Sequence, residues 1–291
     1  MTTPEEDHHG LISTGSGGLV RRMDQRLELV SQLIEEIAAK EASRTRAELA
    51  EFTAVRAISL HGMVQVAAGR LPVSSELGPQ SVDPFFIGKT AVTWSEWQTV
   101  RTWAAANGYD LDSVGDGNGP NHPVTDVNWY QALKWCNARS EKEGLRPVYK
   151  IGAANYRTGD SVPTIDTSAN GYRLPTEKEW EFAARGGVKT NGYEYSGSND
   201  IDAVAWYRSN SGDGTQDVAS KQANELGLYD MSGNVWEWCF DEWGGSGSFR
   251  VSRGGSWSRG ASYCPVADRF LGHRPITVSN IGFRIVRSSV P

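Results

Sequence analysis

From Gly187 to the C-terminus the chain holds no helical period long enough for a helix of ordinary length. It runs instead in short extended pieces, such as "NELGLYDMSGNVWEWC" and "RGGSW", separated by Gly, Ser, Asn and Asp. Such a stretch cannot fold as a helix bundle. It needs many tight turns, for which the 32 glycines give backbone freedom, and large planar side chains between the turns, for which the 11 tryptophans serve. An α+β class with a large irregular fraction meets both demands.

The helical signals lie earlier. "TAVTWSEWQTVRTWAAANG" carries a capping box, Thr93 with Glu96, and an apolar face of Trp97, Val100 and Ala104 that Asn107-Gly108 ends. "NWYQALKWCNARSEKEG" puts Trp129, Leu133 and Cys136 on one face and stops at Gly144. "YRLPTEKEWEFAARGG" repeats the capping box with Thr176 and Glu179 and stops at Gly186. Before them, "GMVQVAAGRLPVSS" alternates and then turns, the pattern of a first strand. Residues 1–22 are polar and Gly/Ser-rich, the composition of a disordered segment. Over residues 23–60 a helical extension is expected, with Met23, Leu27, Val30, Ile34 and Ile37 in one stripe that packs on the domain.

A net charge of −6 argues against a general nucleic-acid binder. No run of apolar residues is long enough to span a membrane, and the N-terminus has no apolar core of a secretory signal. The expectation is a cytoplasmic protein, reaching a surface only through a leader or a partner. Three cysteines, Cys136, Cys239 and Cys264, make neither a disulfide framework nor a zinc site. The C-terminal region is rich in arginine, with Arg250, Arg253, Arg259, Arg269, Arg274, Arg284 and Arg287 against only Asp268. These residues either brace loops, the preferred reading, or meet an anionic partner.

Taken in order, "HPVTDVNWYQALKWCNARSEKEGL", "GYRLPTEKEWEFAARGG", "NELGLYDMSGNVWEWC", "RGGSW" and "NIGFR" resemble the formylglycine-generating-enzyme (sulfatase-modifying factor) domain, a variant of the C-type lectin fold. The resemblance covers about residues 62–288 and implies one loop-rich domain, 62–291, whose C-terminal segment lines a surface site. Enzymes of that family oxidise a substrate cysteine with two cysteines, five positions apart just after "GGS", whose thiolates bind copper. Counted from Gly254-Gly255-Ser256, the second place is held by Cys264 and the first by Arg259. A guanidinium is no soft ligand, so a non-catalytic protein is expected, with Cys264 structural. The alternative is a divergent oxidase acting on a cysteine or other thiol substrate. The resemblance further implies a structural calcium at "LYDMSGNVWEW", held by the carboxylates of Asp230 and Glu237 and the carbonyls of Gly233 and Val235. Against this stands a plainer reading, in which the two carboxylates cap backbone amides. No cofactor is otherwise required.

Residues 258–280 contain no Lys, Gln, Glu, Met or Trp, although the chain holds 11 tryptophans and 4 methionines. Codons ending in C or T cannot encode any of the five. The segment, about 253–288, resembles the variable region of diversity-generating-retroelement proteins, in which adenine-specific mutagenesis rewrites asparagine codons. That resemblance implies variable, ligand-binding positions at Ser258, Arg259, Gly260, Ser262, Tyr263, Asp268, Phe270, Leu271, Gly272, His273, Ile276, Thr277 and Ser279. Arg253, Gly254, Gly255, Trp257, Arg269, Pro275, Ile281, Gly282 and Phe283 form the frame around them. The expected partner is a protein or another surface-exposed ligand, met by a single exposed face, while Trp257, Ile281 and Phe283 point inward.

Overall fold

The structure, a computed structural model, describes residues 28, 30, 32–46, 62–245 and 247–289. The chain divides into two units, Met1–Ser59 and Leu60–Pro291. In the first, residues 32–46 form helix α1, on which Leu33, Ile34 and Ile37 are exposed, as is Val30 just before it. Met23, Leu27, the segment 1–22 and residues 47–61 lie outside the described residues.

The second unit begins with β1 (Met63–Val66), β2 (Gly69–Arg70), β3 (Ser81–Val82) and β4 (Phe85–Gly88). Helices α2 (Trp94–Ala105) and α3 (Trp129–Lys142) follow, then β5 (Tyr149–Ile151), β6 (Ala154–Asn155), β7 (Thr164–Ile165), α4 (Glu177–Ala184) and the four-residue α5 (Ile201–Val204). The remainder is β8 (Trp236–Glu242), β9 (Phe249–Arg253), β10 (Arg269–His273), β11 (Ile281–Gly282) and β12 (Val286–Ser288).

Both expected capping boxes form. Thr93 Oγ1 accepts from the Glu96 N–H at 3.2 Å while Glu96 accepts from the Thr93 N–H at 2.9 Å. Thr176 and Glu179 repeat this at the start of α4. Helix α3 has a third box, Asn128 with Gln131, which the sequence reading did not identify. Each cap satisfies amides that the first helical turn leaves unpaired.

Strand β4 is the centre of a three-stranded antiparallel sheet, β1-β4-β12, so the first and last strands of the domain share one partner. A four-stranded sheet in the order β10-β9-β8-β11 carries the C-terminal segment. Because side chains alternate across a strand, β8 serves two hydrophobic clusters. Trp236 and Trp238 pack with α2 and α3, where Trp97 stacks on Trp135 at 6.0 Å and Phe283 meets both edge-on. Cys239 packs on the other side with Trp180, Phe182, Val251 and Val286. Trp129, Trp180, Trp236 and Phe283 are all buried.

Candidate functional site

The segment after β9 is fixed at its root. Arg253 closes β9, Arg269 opens β10, and the two are register partners. Both reach into α4. The Arg253 guanidinium donates to Glu181 at 2.7 Å and to Glu177 at 3.2 Å, while Arg269 donates twice to Glu177, at 2.6 and 2.8 Å. Arg253 also donates to the carbonyls of Val266 and Ala267, tying down the end of the loop. Gly255 lets the chain return on itself: its φ is 79°, and a Cβ there would sit 2.6 Å from the Tyr263 carbonyl oxygen and 2.8 Å from Cys264 Sγ. Past the segment, Arg284 donates to Glu237, to the Gly88 carbonyl and to the Tyr229 carbonyl. The arginines of the frame therefore brace it, as preferred from sequence. Carboxylates of α4 and β8 take their charge. Sequence reasoning did not find those partners; the available signal was Glu177, Glu179 and Glu181 crowded into one short apolar helix.

Three of the expected variable residues come together over Trp236. The Phe270 ring stacks on the Trp236 ring at 5.1 Å and Tyr263 meets its edge at 6.4 Å. The Arg259 guanidinium lies 5.5 Å from the Phe270 ring and 5.8 Å from the Tyr263 ring. Trp236, itself buried in the core, is also the floor of this surface. Arg208, which the sequence reading passed over, holds the segment from outside: its N–H donates to the Arg259 carbonyl and its Nε to the Ser258 carbonyl, both at 2.9 Å. Asn280 donates to Ser258 Oγ at 2.8 Å. Neither Arg208 nor Arg259 has an ion pair among the described residues.

Ser262, Tyr263, His273, Ile276, Thr277 and Ser279 are exposed, and Ser258, Arg259, Gly260, Asp268, Phe270 and Leu271 are half-buried. Three expectations need correction. Gly272 is buried, and a Cβ there would stand 2.2 Å from the Trp238 ring, so this position has no room for a varied side chain. The single face also fails on β10, where alternation sends Phe270 and Gly272 toward Trp236 and Trp238. Leu271 and His273 turn to the other side of the sheet, opposite Val251 and Phe249, and the His273 ring meets Phe249 at 5.3 Å. Finally, Ile281 and Phe283 are buried but Trp257 is only half so, its Nε1 donating to the Ser279 carbonyl.

Cys264 is buried, and burial first, then the Asp268 charge, pushes its thiol up to about 12. Arg259 stands where the resemblance puts the other cysteine, and a thiol raised in this way is held mostly protonated at neutral pH. The residues do not fit the implied calcium. Glu237 is filled by neighbours: Trp180 Nε1 donates at 2.7 Å, Arg284 Nη2 at 2.8 Å and Arg284 Nε at 3.0 Å. The buried guanidinium supplies the positive charge there, and a second cation would be repelled by it. Asp230 accepts from the Ala219 N–H, and its burial raises the carboxyl to about 6. Gly233, at φ 84°, is needed for a close approach instead: a Cβ would lie 2.4 Å from the Trp206 carbonyl oxygen. Val235 is buried beside it.

Residues 48–289 match the family model described as "Sulfatase-modifying factor enzyme 1-like domain". The chain belongs to the sulfatase-modifying factor family. Its domain has that family's C-type lectin-like fold, of mixed helix and sheet. Among curated relatives, chaperone protein LppX of Paenibacillus barcinonensis is 40% identical over 61% of this chain and 70% of its own length. The formylglycine-generating enzyme of Streptomyces coelicolor is 30% identical over 65% of this chain, which spans 59% of that enzyme. The family includes members named inactive: inactive C-alpha-formylglycine-generating enzyme 2 of Bos taurus is 35% identical over 76% of this chain and 86% of its own. Among solved structures, Treponema denticola variable protein 1 superposes with a TM-score of 0.64 and 34% identity, over 78% of this chain and 94% of that one. Among the described residues, no helix is long and apolar enough to cross a membrane.

Proposed function

We propose that this chain is a non-catalytic ligand-binding protein, whose diversified C-terminal segment on a sulfatase-modifying-factor scaffold recognises a protein or another surface-exposed ligand. One observation carries the reading. Within residues 253–288, Arg253, Ile281 and Phe283 of the frame are buried, and the expected variable side chains, Gly272 apart, are open to solvent at least in part. A segment built this way can change what it binds without changing how it is held. The likeness to a protein named a variable protein supports it, as does the restricted residue set of 258–280. The buried Cys264 and the guanidinium of Arg259 support the absence of oxidase chemistry. No cofactor enters the reading. We place the protein in the cytoplasm, or at a surface to which a leader or partner carries it.

Selection of a ligand from a displayed library, followed by binding and melting measurements, tests this. Replacing Tyr263 and Phe270 together by Ser removes two aromatic anchors and weakens binding about thirtyfold or more. The same change lowers stability far less than Phe283→Ala, a core truncation worth about 3–5 kcal/mol. Unchanged binding by the double variant, with copper-dependent oxygen uptake on a cysteine-containing peptide, overturns the proposal in favour of an oxidase.

A further inference from the structure

The variable positions of β10 lie on both faces of its sheet, which a ligand resting on one face does not explain. The edge of the sheet explains it. Strand β10 is outermost in the order β10-β9-β8-β11. The Arg274 N–H donates to the Ser248 carbonyl at 3.1 Å, continuing the register in which His273 faces Phe249. In an antiparallel ladder, pairs that exchange hydrogen bonds alternate with pairs whose N–H and C=O point away. Since Arg274 bonds toward β9, Gly272 and Phe270 do so as well, and Leu271 and His273 turn their backbone groups outward. The His273 carbonyl accepts from the Ile276 N–H at 2.9 Å. No hydrogen bond among the described residues takes the Leu271 N–H, the Leu271 carbonyl or the His273 N–H. The opposite edge differs, because Ile281 and Gly282 of β11 are buried. Strand β10 also contains neither Pro nor Lys, residues that commonly guard an exposed edge.

We propose, resting on the reading above, that the ligand is a protein bound through an extended segment, which adds to the free edge of β10 as a fifth strand. The Leu271 N–H and carbonyl, with the His273 N–H, sit at strand spacing and call for a backbone as their partner. Pairing there is independent of the ligand's sequence. Recognition comes from side chains on either face, Phe270 with Arg259 and Tyr263 on one and Leu271 with His273 on the other. The two-faced placement of the variable set is what a strand held by its edge requires.

The test compares Leu271→Pro with Leu271→Ala in the full chain, against a linear peptide selected from a random displayed library on the unmodified protein. Proline removes the outward N–H and leaves the ladder bonds to β9 in place, whereas alanine keeps the N–H and sets the baseline for the lost side chain. Calorimetry is expected to show the proline variant binding about tenfold or more weakly than the alanine variant. N-methylation along the peptide is expected to weaken binding at alternate residues. Equal binding by the two variants, or tolerance of N-methylation at every position, overturns the edge reading. If the proline variant melts far below the alanine variant, the N-methyl series decides alone. A library that returns folded domains but no linear peptide also overturns it. Binding lost with Tyr263→Ser/Phe270→Ser but unmoved by Leu271→Pro and N-methylation retains the display function and removes the edge mode. Binding indifferent to all of them removes both.

Discussion

Arg253 Nη2 lies 2.7 Å from Glu181 Oε2, and neither side chain is more than 1% exposed. This pair, with Glu177 shared between Arg253 and Arg269, closes the two ends of the variable loop onto one helix. Glu181→Ala leaves a buried guanidinium short of a carboxylate, and Arg185 also loses its partner. The expected cost is about 3–5 kcal/mol, read as a fall in the denaturation midpoint. A midpoint within experimental error of the unmodified chain would show that the loop does not depend on this anchor.

Gly272 gives the sharpest contrast inside the variable segment. Gly272→Ala forces a methyl group against the Trp238 ring and is expected to destabilise by about 1–3 kcal/mol. His273→Ala and Thr277→Ala, at exposed positions, are expected to stay within about 0.5 kcal/mol of the starting protein. Chemical denaturation of the three variants side by side checks this.

Much of the scaffold was legible because its signals are local. Thr93 with Glu96 and Thr176 with Glu179 announce helix starts three residues apart, and the structure forms both boxes. The buried Trp236 and Phe283 follow from motifs that hold their spacing. What escaped depends on contacts distant in sequence. That Trp238 fills the space beside Gly272 is set by strand register, which no window of sequence contains. The division of Phe270 from Leu271 and His273 follows from β10 being a regular strand, whose bounds and register no local motif in the sequence marks. Arg208 stands 51 positions before Arg259 and bears on it only through the backbone. The partners of Glu237 were hidden for the same reason: it has the right position in its motif for the implied calcium, but Arg284 and Trp180 reach it from other elements.

Asp230 makes the stability of the fold depend on pH. Its carboxyl is raised from 3.8 to about 6 by burial, so the folded state holds the proton more tightly than the unfolded state. Stability from this group is therefore full below about pH 4 and is lost as pH rises through about 6. Asp230→Asn keeps an acceptor for the Ala219 N–H and removes the ionisation. It is expected to raise the melting temperature at pH 7.5 and to lose that advantage near pH 4. Chelation is expected to leave both melting temperatures unchanged. A fall on chelation that calcium restores, seen only with Asp230 present, would instead show a metal site.

Cys264 is expected to be inert in the folded chain. With its thiol at about 12, about one molecule in ten thousand carries the thiolate at pH 8. Iodoacetamide should therefore label Cys264 only after denaturation, as followed by mass spectrometry. Rapid stoichiometric labelling of the native protein would reopen the oxidase alternative.

The central claim is a rigid frame that tolerates change on its variable surface, and randomising that surface tests it most directly. A library varied together at Ser258, Arg259, Gly260, Ser262, Tyr263, Asp268, Phe270, Leu271, His273, Ile276, Thr277 and Ser279, with Gly272 fixed, is sorted for resistance to proteolysis. Most members are expected to survive at protease levels that destroy Glu181→Ala and Phe283→Ala. A library in which most members are cleaved as readily as those two variants would contradict the account, because these side chains would then be holding the fold and not displayed upon it.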